Sequence, residues 1–236
     1  MTNSATAISK ELRALASPET ATILQRFFKT GPGQYGEGDA FLGIKVPPMR
    51  ALAKQHRDAD LKTVATLLDS RYHEERFFAL LLLMQFYQHG TDEDQADAYG
   101  LYLAHTHRIN NWDLVDVSAP HIVGRHLQER PRKSLHQLAR SGSLWEKRIA
   151  IIATLHFIRM NDFDDTLHVA EALLHDEHDL MHKAVGWMLR EVGKRDLAAE
   201  ENFLKQHYRD MPRTMLRYAI ERFPEPKRKN YLYGKV

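Results

Sequence analysis

Apolar residues recur at helical spacing along almost the whole chain, and this pattern constrains the fold more than any other feature. No segment shows the alternating apolar and polar residues, flanked by hairpin turns, that are typical of strands. The sequence therefore predicts an all-α protein. The predicted helices cover about residues 18–29, 47–56, 60–68, 71–88, 92–107, 111–129, 131–140, 143–160, 163–175, 179–194, 198–208 and 212–223.

Three of these helices carry basic residues ahead of a strongly apolar run, and each is paired with a more amphipathic helix. Their sequences are EERFFALLLLMQF, WEKRIAIIATLHF and MHKAVGWMLREV, and the last two begin roughly 35 residues apart. Helix pairs at that period predict an α-solenoid of HEAT-like repeats with a concave binding face. A non-repetitive helical bundle is the alternative.

No linker divides the chain, so we expect one helical-repeat domain over residues 1–236. Its first 40 residues combine N-terminal helices with a glycine-rich loop, TGPGQYGEGDA, at 30–40. The absence of cysteine excludes disulfides, thiolate nucleophiles and cysteine-based zinc sites. We find no signal peptide and no apolar run long enough to cross a membrane, so we expect a soluble, cytoplasmic protein.

Charge is distributed unevenly along the chain. Residues 1–129 contain 13 Lys and Arg against 16 Asp and Glu, whereas residues 130–236 contain 20 against 15. A basic C-terminal half suggests a polyanionic partner, and an unevenly charged solvated surface is the alternative.

The stretch NNWDLVDVSAP, residues 110–120, contains the first candidate site. Its two asparagines are typical of a helix start, and Trp112 and Asp116 are four residues apart, which places them on one helix face. Asp113 lies in the first turn, where a carboxylate complements the free N–H groups of the helix. Asp116 lies beyond that turn between two valines, where burying a carboxylate is costly unless it is paired or used. An exposed or Arg-paired Asp116 is the alternative.

Further candidates lie in the C-terminal half. Trp187 follows Gly186, and a glycine inside a helix costs about 1 kcal/mol relative to alanine, so a neighbouring helix or a ligand must need that space. A buried core role is the alternative for each tryptophan, and a surface charge is the alternative for each cation. The basic residues that could follow a phosphate backbone are Lys147, Arg148, Lys183, Arg190, Lys194, Arg213 and Arg217.

Motifs for metals and nucleotides are missing. The 14 histidines show no zinc spacing, and HEHD at 175–178 is explained by a polar turn between helices. The chain has neither a Walker motif nor a GxGxxG motif. We therefore expect no metal and no cofactor.

From residue 41 onward the sequence resembles the AlkD-type DNA alkylation-repair glycosylases, a HEAT-like family. The resemblance is carried by FLGIKVPPMR (41–50), NNWDLVD (110–116), SLWEKRIAI (143–151) and HKAVGWMLRE (182–191), in that order. It implies that Trp112, Asp116 and Trp187 form the catalytic cleft and that Arg148 holds the DNA backbone near the lesion. The segment 30–40 is longer than its counterpart in the family, which marks a difference from the common pattern.

The resemblance implies an enzyme that hydrolyses the N-glycosidic bond of N3- or N7-alkylated purines in duplex DNA without flipping the base. No lysine is clearly placed as a Schiff-base nucleophile, so we expect a monofunctional enzyme without strand cleavage. Such purines already carry positive charge, so they depart without a general acid, and the enzyme must stabilise a cationic sugar. Lys183, Arg190, Arg213 and Arg217 would hold phosphates beside Arg148. We expect a monomer. The alternatives are a HEAT-like protein that binds damaged or branched DNA without chemistry, and a protein-binding helical repeat.

Overall fold

A computed structural model describes residues 4–236 of the chain. Within them all regular secondary structure is helical, and Ala40 and Tyr72 form one isolated β-bridge. The prediction of an all-α protein is therefore confirmed. The chain divides into two compact units, Met1–Ser118 and Ala119–Val236, called here the N-terminal unit and the C-terminal unit.

The N-terminal unit is built around its most apolar helix, α5. Residues 77–83 of α5 are all buried, and α3, α4, α6 and α7 pack against this helix. A helix that is apolar on all sides is typical of such a central position. The helices of this unit are α1 (Ala5–Ala14), α2 (Pro18–Phe27), α3 (Val46–Gln55), α4 (Leu61–Leu68), α5 (His73–His89), α6 (Asp92–Ala104), a 3-10 turn (Thr106–Arg108) and α7 (Trp112–Ser118).

Capping residues determine where several of these helices begin. The side chain of Ser17 accepts a hydrogen bond from the Thr20 N–H, and Pro18 occupies the first helical position, where the predicted helix begins. Asp60 caps α4 in the same way. Thr91 forms a reciprocal capping box with Asp94 at the start of α6.

The C-terminal unit is built around α12, which packs against α9, α11, α13 and α14. Gly186 of α12 lies against the backbone of α14, and a Cβ atom at this position would come within 2.6 Å of the Tyr218 Cβ. The space beside Gly186 is therefore needed by a neighbouring helix. The elements of this unit are a π-helical turn (Pro120–Gly124), α8 (Lys133–Ala139), α9 (Leu144–Ala153), α10 (Leu155–Arg159), α11 (Asp164–Ala172), α12 (Asp179–Gly193), α13 (Leu197–His207), α14 (Arg213–Ala219), a 3-10 turn (Ile220–Arg222) and α15 (Glu225–Leu232).

Two predicted helices are interrupted in the structure. The single helix expected over 111–129 is wrong, because α7 ends at Ser118 and a π-helical turn follows from Pro120. Proline has no N–H to donate to the preceding turn, so the regular α-helical hydrogen bonding cannot continue through it. The helix expected over 143–160 is divided at Thr154, where α9 gives way to α10.

Among residues 4–236 no helix is both long and apolar enough to cross a membrane.

Candidate active site

Helix α7 begins at Trp112 because two side chains complete its first hydrogen bonds. Asn111 is fully buried, and its Oδ1 accepts a hydrogen bond from the Trp112 N–H at 2.8 Å. The Oδ1 of Asp113 accepts one from the Leu114 N–H at 2.9 Å. These N–H groups have no carbonyl partner within the helix. The helix places Asp116 one turn after Trp112, on the same face, as the spacing predicts.

The indole of Trp112 is held by aromatic contacts with the end of α2. Its ring stacks on Phe28 with a centroid separation of 5.2 Å and an interplanar angle of 29°. The edge of Phe27 approaches at 5.9 Å. The indole N–H donates to the hydroxyl of Tyr35 at 3.3 Å. Tyr35 belongs to the glycine-rich segment 30–40, so this segment fixes one edge of the predicted catalytic tryptophan.

A buried histidine connects the glycine-rich segment with α7. His73, at the start of α5, is 3% exposed. Its Nε2 lies 2.8 Å from the Asp113 Oδ2, and its Nδ1 lies 3.5 Å from the Asp39 Oδ2. Its imidazole also stacks on Phe41 at 4.6 Å. The side chain thus touches a residue of α7 and a residue of the segment 30–40 at the same time.

Electrostatics keep this histidine charged. Burial alone would lower the pKa of His73, but the carboxylates of Asp113 and Asp39 outweigh it and raise the pKa to about 9. Burial also disfavours the charged form of Asp39, yet His73 and Arg76 hold the pKa of Asp39 below its usual range. Arg76 donates to the Asp39 Oδ1 at 2.7 Å. We call Asp39, His73, Arg76 and Asp113 the buried ion cluster.

Asp116 is partly exposed, whereas Leu114 and Val115 beside it are fully buried. The residue therefore lies at the surface of the N-terminal unit. Burial and then the negative charge of Asp116 raise the pKa of Tyr102, whose hydroxyl lies 3.0 Å from the Ser118 Oγ.

In the C-terminal unit, Trp187 has a charged partner. Its indole N–H donates to the Glu191 Oε1 at 3.0 Å, one turn further along α12. Lys194 donates to the same oxygen at 2.6 Å. Lys183 and Arg190 lie four residues before and three residues after Trp187, so all three share one face of α12.

Arg148 is the most buried of the predicted DNA-binding cations, at 5% exposure. Its Nη1 donates to the backbone carbonyl of Leu180 at 2.8 Å. This bond connects α9 with the first turn of α12. The structure therefore gives Arg148 a contact that orients the helix carrying Trp187.

The other predicted cations have partners of different strength. Lys183 pairs with Asp179 at 2.6 Å, and Arg190 pairs with Glu221. Arg213 donates to the carbonyl of Leu232 at 2.7 Å. Arg217 is exposed on α14, the helix that packs against α12. The structure thus places these cations on α12 and α14, and Trp112 and Asp116 on α7.

No group of three or more His, Asp or Glu side chains within residues 4–236 is arranged to hold a metal ion. A polar side chain of the segment 175–178 forms its contacts with other groups of the C-terminal unit. Asp176 pairs with Lys147, and its Oδ1 accepts a hydrogen bond from the His178 N–H at 2.9 Å.

Four residues that support the predicted site were not identified as candidates from the sequence. Glu191 had a usable signal, because it follows Trp187 at the i+4 spacing of a shared helix face. The others contact residues more than 30 positions away in sequence, so no local pattern reveals them. The missed residues are Tyr35, Asp39, His73 and Glu191.

Residues 8–223 match the family model described as DNA alkylation repair enzyme. The chain belongs to this family. Family membership implies that the protein acts on DNA, which agrees with the cations on α12 and α14. No curated protein matches the chain.

A solved structure shares the fold. It is a protein from Enterococcus faecalis named as a predicted DNA alkylation repair enzyme, with a TM-score of 0.68 and 18% sequence identity. The match covers 89% of this chain and 97% of that one. At this identity the likeness shows a shared fold and nothing further.

Proposed function

We propose that this chain is a monofunctional DNA glycosylase that hydrolyses the N-glycosidic bond of N3- or N7-alkylated purines in duplex DNA. The observation that carries the proposal is the pair on α7, in a chain of the alkylation repair family. Asp116 is a partly exposed residue one turn from Trp112, whose indole is fixed by Phe28 and Tyr35. Fixed groups stabilise developing charge without having to reorganise during the reaction.

The chemistry follows from the charge of the lesion. An N3- or N7-alkylated purine is cationic, so it leaves with the electron pair of the glycosidic bond and becomes neutral. The deoxyribose then carries oxocarbenium character at C1′, which the carboxylate of Asp116 stabilises. One water adds at C1′ and loses a proton, and Asp116 orients this water and accepts that proton. The products are a free base and an abasic site.

The indoles of Trp112 and Trp187 contribute to the same step in this proposal. An indole face attracts a cation by about 0.5–2 kcal/mol. Each ring would therefore stabilise the cationic sugar of the transition state more than the neutral sugar of the substrate. The base stays within the duplex in this proposal, since the departing purine needs no contact with an acid. Lys183, Arg190, Arg213 and Arg217 would bind phosphates, and Arg148 would keep α12 in place.

A base-release assay on N7-methylated duplex DNA tests the proposal. The Asp116→Asn variant should lose at least about 100-fold in single-turnover excision, in the range measured for loss of a preorganised electrostatic group. Its affinity for undamaged duplex should change little. Asp97→Asn makes the same substitution at an exposed position on α6 and should keep full activity.

Two results would contradict the proposal. If the wild-type protein binds methylated DNA but releases no base, the chain is a damage-binding protein. If borohydride traps a covalent adduct between protein and DNA, the enzyme uses an amine nucleophile and is not monofunctional.

A further inference from the structure

The C-terminal segment 224–236 lies beyond the part of the chain that matches the family, which ends at residue 223. The segment is nevertheless folded, and most of it forms helix α15. It is therefore a structured addition to the matched part of the chain, and its surface needs its own explanation.

Aromatic packing and hydrogen bonds hold this addition on the C-terminal unit. Tyr231 is 2% exposed, and its ring meets Tyr208 edge-on at 5.4 Å and Phe223 at 5.7 Å. The hydroxyl of Tyr208 donates to the carbonyl of Val236 at 2.7 Å. Together with the bond from Arg213 to the Leu232 carbonyl, these contacts fix both α15 and the residues after it.

This addition is strongly basic. Its side chains include four Lys and Arg against one Glu, which gives a net charge of +3 over 13 residues. Lys227 is already engaged by the C-terminal unit, since it pairs with Glu201 and its Nζ lies 5.3 Å from the centre of the Phe223 ring. Arg228, Lys229 and Lys235 are exposed.

These exposed cations can exchange their present contacts at small cost. Lys229 pairs with Glu225 at 2.8 Å, but both side chains are more than half exposed, and such pairs contribute little. Arg213, a predicted phosphate ligand on α14, lies against the end of α15. The charges of α15 therefore extend a surface that already carries predicted DNA contacts.

The chemistry of α15 favours a polyanion over a membrane surface. A helix that binds membranes needs an apolar face directed outward, whereas the anchoring Tyr231 of α15 is buried in the unit. Duplex DNA carries one negative charge per roughly 1.7 Å of its axis, which suits several exposed cations within one short segment. The family of this chain acts on DNA, so duplex DNA is the polyanion that the rest of the molecule selects.

We propose that Arg228, Lys229 and Lys235 form a second phosphate-binding surface, which binds the backbone of duplex DNA. It deepens and rests on the proposed function, because it assumes that the C-terminal unit faces DNA. The surface adds affinity and does not take part in bond cleavage.

The salt dependence of binding to an undamaged duplex tests this surface. A triple variant, R228Q/K229Q/K235Q, should bind more weakly, and its slope of log Kd against log salt should fall by about 2–3, because each lost phosphate contact removes about 0.9. Single-turnover excision at saturating enzyme should stay unchanged. The charge-preserving variant R228K/K229R/K235R should keep the wild-type slope.

A matched control removes the same charge elsewhere. K10Q/K54Q/K62Q replaces three exposed lysines of the N-terminal unit and should lower the slope clearly less than the α15 variant. An unchanged slope in the α15 variant, or an equal loss in both variants, overturns the inference. The duplex is undamaged, so a failure of the proposed base excision leaves this result interpretable.

Discussion

The surroundings of the two predicted catalytic tryptophans differ in the acceptor of the indole N–H. In the N-terminal unit Trp112 donates to the neutral hydroxyl of Tyr35 and stacks on Phe28. In the C-terminal unit Trp187 donates to the carboxylate of Glu191. The ring of Trp112 is held mainly by aromatic packing. The ring of Trp187 is held by a charge-assisted hydrogen bond, which is stronger than a hydrogen bond between neutral groups.

The location of charge differs as well. Near Trp112 the charges lie inside the protein, in the buried ion cluster around His73. Near Trp187 the charges of Glu191 and Lys194 remain accessible to water. Buried charges make a structure sensitive to the loss of any one partner, whereas accessible charges are screened by solvent. The two regions should therefore respond differently to mutation and to pH.

The largest effect should follow loss of the histidine in the buried ion cluster. His73→Leu leaves Asp39 and Asp113 without the cation between them, and breaking a buried pair costs about 3–5 kcal/mol. Urea unfolding of the variant and the wild type measures this loss. His56→Leu is the matched control, since His56 is equally buried but its partner Glu11 is 41% exposed and can be solvated by water. Equal losses in the two variants would show that burial alone, without the ion cluster, explains the cost.

The next effect is a difference in pH response. The pKa of His73 is raised from 6.5 to about 9, so its contribution to the free energy of unfolding is complete below pH 6.5 and is lost as the pH rises through 9. Each unit of pKa difference corresponds to about 1.4 kcal/mol, so the contribution should reach about 3 kcal/mol. Stability measured between pH 6.5 and 10 should fall in the wild type, and fall less in His73→Gln.

The C-terminal unit should respond in a lower pH range. Burial, and then the charge of Glu201, raise the pKa of Glu200 from 4.5 to about 8, against the opposing charges of Arg190 and Lys227. Its contribution is complete below pH 4.5 and lost as the pH rises through 8. Glu200→Gln should abolish the loss of stability between pH 4.5 and 8 that Glu200 causes. The loss between pH 6.5 and 9 that His73 causes should stay unchanged. If His73→Gln or Glu200→Gln alone changes the pH dependence that belongs to the other residue, the two groups do not titrate independently.

The smallest effect concerns the two indole acceptors and depends on the proposed activity. Glu191→Gln keeps an acceptor oxygen but removes the negative charge beside Trp187. If that charge strengthens the attraction of the indole for a cationic sugar, single-turnover excision should fall by up to about tenfold, within the range of cation–π energies. Tyr35→Phe removes a neutral acceptor and should change excision by less. If excision fell more in Tyr35→Phe than in Glu191→Gln, the neutral acceptor would matter more than the charged one.

Most helices could be predicted, since periodicity and capping act within a few residues. The start of α2 at Pro18 follows from Ser17, and that of α4 from Asp60, because each side chain caps N–H groups only three residues away. Interruptions were harder to predict. The apolar pattern continues past Pro120 and Thr154, so the helices over 111–129 and 143–160 looked unbroken.

The sequence by itself determined which candidate residues share a helix face. Trp112 and Asp116, and likewise Lys183, Trp187 and Arg190, lie together because the helical repeat fixes positions four and three residues apart. The resemblance in the same stretches led to the family that the comparison with known proteins confirms.

Only the tertiary structure decided what surrounds those residues. His73 and Asp113 are 40 positions apart, and Trp112 and Tyr35 are 77 apart, so neither contact leaves a periodic trace in the sequence. The burial of Arg148 and its bond to Leu180 depend in the same way on how α9 packs against α12. Local periodicity specifies a helix face, but the partner of a side chain depends on packing between distant segments of the chain.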